Sequence, residues 1–154
     1  MAPVEPFLNA MIHNFKLDLG PFISIKTKQK DIERRLYDEK RKIVHKGDYI
    51  VFYCLSNNET MLCKVVDLHI YKSFDELYSR FPKERLGYKA SDIAHPDDMH
   101  KYYSKEKIDT YGVVGIEVIL IEKPLKIDYL NETIKIDNKI YSYKEAEEII
   151  KACA

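Results

Sequence analysis

Apolar and polar positions alternate over residues 12–18, IHNFKLD. Ile12, Asn14 and Lys16 fall on one parity and His13, Phe15 and Leu17 on the other, the pattern of a half-buried strand. Gly20 and Pro21 interrupt it, and PFISIKTK beyond them reads as a short helical turn. DIERRLY, residues 31–37, is a second strand. Lys46-Gly47-Asp48 is a turn signal, and the YIVFYCL that follows is too apolar and β-branched for anything but a buried strand. Asn57-Asn58 turns the chain back into MLCKVVDLHIY, closing a hairpin.

Helical grammar follows. In SFDELYSRF, Ser73 stands at the cap with Glu76 three residues on, and Phe74, Leu77, Tyr78 and Phe81 form one stripe. Pro82 ends the helix. Residues 83–103 are polar, carry Gly87 and Pro96, and read as a long surface loop. SKEKIDTYG repeats the grammar, with Ser104 as cap, Lys107 in the place of the usual Glu and Gly112 as the stop. VVGIEVILIE is a last core strand, with Gly115 as a candidate bulge. This order predicts an α+β chain built on a mainly antiparallel sheet or small barrel with short flanking helices. In the remainder, IKIDNKIYSY is a strand–turn–strand about Asp137-Asn138-Lys139. KEAEEIIKAC places Ala146, Ile149, Ile150 and Cys153 on one helical face, read as docked on the barrel in preference to binding a partner protein. The predicted division is residues 1–122 for the main domain and 123–154 for the docked appendage.

Composition narrows the function classes. At 154 residues, with 45% apolar and 32% charged, the chain suits one globular domain and excludes disorder over most of its length. Its 25 basic and 25 acidic residues cancel, so only local clustering can argue for nucleic acid. No apolar run is long enough for a bilayer, and MAPVEPFLNAMIHNF lacks the basic start and apolar stretch of a signal peptide. The three cysteines, Cys54, Cys63 and Cys153, show no CxxC spacing. They predict reduced thiols in a cytoplasmic or nuclear setting, with Cys54 and Cys63 as small buried hydrophobes. His95-Pro96-Asp97-Asp98-Met99-His100 has ligand-type residues without a standard metal spacing and reads as a capped loop; His13 and His69 read as structural. No metal and no cofactor is expected.

One segment departs from neutrality. Residues 26–46 hold nine basic side chains against four acidic ones, a local excess of +5 that phosphate attraction would use and that a solvated charged face would equally produce. Twelve tyrosines offer rings that can stack on bases. Within the segment, Glu33 and Arg35 share strand parity and point to one face; Lys30 joins them only from the turn before the strand. Arg35 would offer a planar fork to phosphate or a base edge, Glu33 would accept from a base amino group or orient the lysine, and a desolvated Lys30 would become a base or nucleophile. The plainer alternative is a structural Glu–Arg ion pair beside a solvated lysine.

The stretch KQKDIERRLYDEKRKIVHKGDYIVF resembles the signature of the ASCH family, written G-x-K-x-x-E-x-R. It falls on Lys28, Lys30, Glu33 and Arg35, with Lys28 in place of the glycine. HNFKLDLGPF, YKSFDELYSRFP, LGY and YYSKEKIDTYGVVGIEV extend the resemblance in order over residues 11–121. It implies a PUA-like β-barrel whose cleft binds RNA or a nucleotide, with Lys28, Lys30, Glu33 and Arg35 as binding residues, to which the basic stretch adds Arg41. It also implies an alternative, a small hydrolase of a modified nucleoside such as N4-acetylcytidine, or a ribonuclease, in which Lys30 and Glu33 would be catalytic. That hydrolase branch has a hydroxyl residue where this chain has Glu33, together with a downstream acid for which Glu84 and Asp92 are the candidates.

Overall fold

Strand β3 explains its own composition. The computed structural model describes residues 11–123 and 125–153, the side chain of Cys153 excepted; the opening residues read for a leader, and that cysteine side chain, lie outside them. In β3 (Tyr49–Cys54), Ile50, Phe52 and Cys54 enter the barrel core while Tyr49 and Val51 enter a second core on the reverse face. A strand buried on both faces has no polar side, hence the unbroken apolar run.

Around it lies a curled five-stranded half-barrel in the order β1-β3-β4-β5-β2, formed with β1 (Ile12–Leu17), β2 (Ile32–Leu36), β4 (Thr60–Tyr71) and β5 (Val113–Leu120). Its pairs are antiparallel except β1 with β3, which run parallel. The fold is α+β, as the order of elements predicts. A shift of register between Val65 and Asp67 puts the bulge in β4 and not at Gly115, which pairs regularly with Arg34 and His69. Gly115 serves close approach instead: a Cβ there would lie 2.9 Å from Ile32 Cγ2.

Helix α1 (Leu19–Lys26) plugs the barrel with Phe22 and Ile25. Asp38 caps the short α2 (Glu39–Lys42), which the sequence pattern did not suggest. Helices α3 (Phe74–Arg80) and α4 (Lys105–Tyr111) carry the predicted Ser73 and Ser104 caps, and with Ile32, Leu36 and Val113 they enclose the core on the outer face of β2. Residues 83–103 are not a plain surface loop. They form 3-10 helices over Lys83–Leu86 and Pro96–Lys101 that bury Leu86 and Met99 in that same core. His95 and Asp98 form a reciprocal capping box at the second of these, the capped-loop role read for this cluster.

The final segment makes a three-stranded sheet, β6 (Lys126–Asp128), β7 (Thr133–Ile136) and β8 (Lys139–Ser142), followed by α5 (Tyr143–Cys153). Ile134, Tyr143, Ala146 and Ile150 pack on Tyr49, Val51 and Leu62 of the barrel. Tyr143 also donates to Asn14 Oδ1 of β1 at 2.7 Å. Ile150 is fully buried and Ile149 partly so. Among the described residues no helix is long and apolar enough to cross a membrane.

Candidate functional site

Strand parity puts charge inside the barrel. On β2, Ile32 and Leu36 face the outer core; Glu33 and Arg35 face the lumen, opposite Ile116 and Val114 of β5. Alternation would place apolar residues at those two positions, so an inward carboxylate and guanidinium mark the place where the pattern yields to chemistry.

Lys30 reaches them from the turn before the strand. Past α1 the chain enters a left-handed conformation at Lys28, φ +68°, whose N–H bonds the Ile25 carbonyl. The Lys30 N–H then bonds the Ser24 carbonyl and the Asp31 N–H the Arg85 carbonyl, which fixes the turn. The lysine stem crosses Gly87, where a Cβ would stand 3.0 Å from Lys30 Cδ; with φ +108° as well, that position suits only glycine. Lys30 Nζ donates to Glu33 Oε1 at 2.7 Å, and Arg35 Nε donates to Glu33 Oε2 at 2.6 Å. The Lys30 side chain is 3% exposed and that of Glu33 6%, so this is a buried triad and not a solvated lysine beside an ion pair.

Burial alone would raise the Glu33 pKa, but Lys30 and Arg35 outweigh it and hold the carboxylate at about 2. For Lys30 the balance falls the other way. Burial lowers its pKa by more than Glu33 raises it, and Arg34 and Arg35 add to the lowering. A cation denied water and crowded by two guanidiniums is one that an incoming anion would favour.

Arg35 closes the seam of the half-barrel. Its Nη2 donates to the Lys16 carbonyl of β1 at 2.8 Å, joining the two edge strands, and its guanidinium lies 5.0 Å from the Phe15 ring centroid. Beside it opens a cleft of about 190 Å³ whose walls include Lys16, Lys30, Glu33, Arg35, Tyr102 and Tyr103. Arg34, on the opposite face of β2, also touches it. Its Nη1 donates to the Tyr78 and Tyr88 hydroxyls, and Tyr88 in turn donates to Asp98 Oδ2 at 2.6 Å.

The remaining predicted residues lie elsewhere. Arg41 stands behind the cleft, paired with Asp38 at 2.9 Å and stacked 5.6 Å from the Phe15 centroid. Lys28 is outside it, on the surface, with its ammonium 2.8 Å from Glu122. Neither Glu84 nor Asp92 lines the cleft; Asp92 accepts from the Lys89 N–H in a turn. Tyr102, Tyr103 and Arg34 were missed by the sequence reading, the tyrosines because they end a segment taken for loop, the arginine because its parity points away.

Among the described residues, Asp67, His69 and Glu117 bring potential metal-ligand atoms within 4.8 Å of one another, a grouping no sequence spacing announces. His69 Nε2 is already hydrogen-bonded with Glu117 Oε1 at 2.9 Å, and Glu117 Oε2 lies 3.4 Å from Arg85, so both Glu117 oxygens are engaged within the protein.

Over 72% of its length the chain matches the whole of the crystal structure of hypothetical protein PH0355, with a TM-score of 0.62 and 30% sequence identity. The solution structure of PF0455 from Pyrococcus furiosus matches 73% of the chain over its own full length, with a TM-score of 0.57 and 29% identity. A mutant of ZmASCH from Zymomonas mobilis matches 90% of the chain and 96% of its own at 10% identity and a TM-score of 0.47, too remote to carry an argument. No family model matches the chain, and no curated protein does.

Proposed function

This chain belongs to the same family as PH0355, an ASCH-type protein, and has the ASCH-like fold; on that premise we propose that the cleft beside Lys30, Glu33 and Arg35 binds RNA or a nucleotide. The observation that carries the reading is the charged triad inside the barrel lumen. A barrel that needed only stability would fill those positions with hydrocarbon, since buried ion pairs rarely outdo well-packed apolar side chains. The cleft also combines what a nucleotide asks for: a guanidinium fork for phosphate or a base edge, a carboxylate acceptor, and the rings of Tyr102 and Tyr103. A cationic balance supports the reading: Lys16, Lys30, Arg34 and Arg35 line the cleft against Asp18 and Glu33, and nearby Lys40 has its pKa lowered first by partial burial and then by Arg41, Arg35 and Lys16.

Hydrolysis is the second reading, favoured by the lowered pKa of Lys30, which suits a base or nucleophile. Against it, Glu33 stands where the hydrolase branch has a hydroxyl, and neither candidate downstream acid lines the cleft.

Fluorescence anisotropy with labelled single- and double-stranded RNA, over a range of salt concentrations, tests the proposal. Binding should weaken as salt rises, because released counterions supply much of such affinity. Arg35→Ala should reduce affinity by about ten-fold or more while the protein stays folded. Absence of binding at low salt, or affinity indifferent to salt, would sink the proposal. Turnover of N4-acetylcytidine that disappears in Lys30→Ala would replace binding by hydrolysis.

A further inference from the structure

We infer that the cleft is one of two adjoining nucleotide subsites, and that its ligand is a single-stranded polynucleotide spanning both; this rests on the cleft binding a nucleotide at all. The cleft's volume of about 190 Å³ lies below the roughly 300 Å³ at which pockets for whole small ligands begin, so it holds a base with little else. Directly beyond Tyr102 and Tyr103, which form a common wall, lies a second depression of about 360 Å³. Its other walls include Leu36, Lys40, Lys107 and Tyr111.

The charge along this path favours a phosphodiester. Asp38 and Glu39 also border the second depression, but Asp38 is bonded to Arg41 at 2.9 Å and Glu39 lies 3.7 Å from Lys42. Lys40 and Lys107, by contrast, have no ion pair among the described residues. Lys16 and Arg35 line the cleft on one side of the shared wall and Lys40 and Lys107 the depression on the other. A backbone phosphate passing over the wall would meet cations from both.

Rings supply the other half. Tyr102 is 50% and Tyr111 38% exposed, so both rings are open to a stacking partner, and Lys101 sits 5.2 Å from the Tyr102 centroid. Tyrosines open to solvent and set among lysines are the equipment of single-strand binding, in which bases stack on rings while cations follow the backbone. An isolated mononucleotide would leave Tyr111 and Lys107 unused. A stretch of acidic peptide would use the lysines and ignore the rings.

Isothermal titration of the full chain with 5′-phosphorylated mononucleotides (pU, pC, pA, pG), with the matching homodinucleotides and with oligoglutamate decides the matter. A dinucleotide should bind at least about five-fold more tightly than its mononucleotide, the low end of what one stacked base contributes. Tyr111→Ala combined with Lys107→Ala, both at exposed positions outside the cleft, should abolish that advantage and leave mononucleotide affinity as it was. Equal affinity for mono- and dinucleotide in the native chain, or an advantage that survives the double substitution, would overturn the second subsite while leaving the cleft's own role standing. Oligoglutamate binding as tightly as the dinucleotide would reduce the path to a cation patch. If no nucleotide of either length binds, the proposed function itself fails and the second subsite with it.

Discussion

Two charged networks adjoin β2, and they differ in one respect. Inside the barrel, Lys30, Glu33 and Arg35 are bonded at 2.7 and 2.6 Å, with Lys30 and Glu33 almost wholly buried. Outside, at the start of the same strand, Arg85 grips Asp31 at 2.9 and 3.1 Å and reaches Glu117, which also holds His69. The bond lengths are alike, yet the outer arginine and Asp31 are each more than a third exposed. Water screens that pair, and exposed pairs contribute about 0–1 kcal/mol. The inner triad has little such screening: Lys30 and Glu33 have given up nearly all their hydration, and removing the shared carboxylate strands the buried lysine. The same residue types thus make a disposable surface clasp in one place and, in the other, a buried unit that hinges on one carboxylate. A unit that is costly to assemble and lines a cleft is what the proposed ligand chemistry would use.

The largest effect should come from breaking the inner unit at its centre. Glu33→Ala leaves the Lys30 ammonium buried without its counter-ion and should destabilise the fold by about 3–5 kcal/mol in urea unfolding. Arg85→Ala should cost under about 1 kcal/mol by the same measurement, with part of that from lost packing on Phe81. Equal costs for the two substitutions would erase the distinction drawn between the networks.

Acid should sharpen the contrast. The Glu33 carboxyl falls from an ordinary 4.5 to about 2 in the folded protein. A depressed carboxyl contributes stability above its unfolded pKa and loses it as pH falls toward the folded value. The contribution is roughly 3 kcal/mol, present above about pH 4.5 and disappearing down to about pH 2. Unfolding free energies measured between pH 6 and pH 2 should therefore fall more steeply in the native chain than in Glu33→Gln, which has no proton to take up there. Parallel pH profiles for the two proteins would remove Glu33 from the account.

How much of this was legible beforehand follows from the reach of each signal. β1, β3, β4 and β5 announce themselves by alternation or continuous apolar runs, and α3 and α4 by Ser73 and Ser104. Those are signals a few residues long. The parallel pairing of β1 with β3 has no local signature, because the partner is chosen by the whole sheet. Leu86 and Met99 stand alone among polar neighbours, so no period marked residues 83–103 as packed, and with them Tyr102 and Tyr103 were passed over. Glu33 and Arg35 were readable as a pair because they share strand parity; Lys30, on the opposite parity, is joined to them by the resemblance to the ASCH motif and reaches them from the turn. Arg41 was grouped with them on proximity in sequence, but α2 turns it behind Phe15.

Lys28 offers the smallest and cleanest test of where the binding surface ends. It occupies the position that the ASCH-type motif gives to glycine, and its backbone shows why: φ is +68°, in the left-handed region, where a side chain costs about 1–2 kcal/mol. The residue ends α1 by donating its N–H to Ile25, a capping geometry that glycine adopts without strain. Lys28→Gly would relieve that strain, at the expense of some unfolded-chain entropy and of an exposed ion pair with Glu122. The balance should be a gain of about 0.5–1 kcal/mol, which for a chain of this size raises Tm by about 1–4 °C in a calorimetric scan. RNA affinity should fall at most slightly, by the share of one distant cation, in contrast to the ten-fold loss expected of Arg35→Ala. A Lys28→Gly protein that binds as poorly as Arg35→Ala would extend the site across the surface to Glu122, and with it the boundary between the buried triad and the screened charges around it.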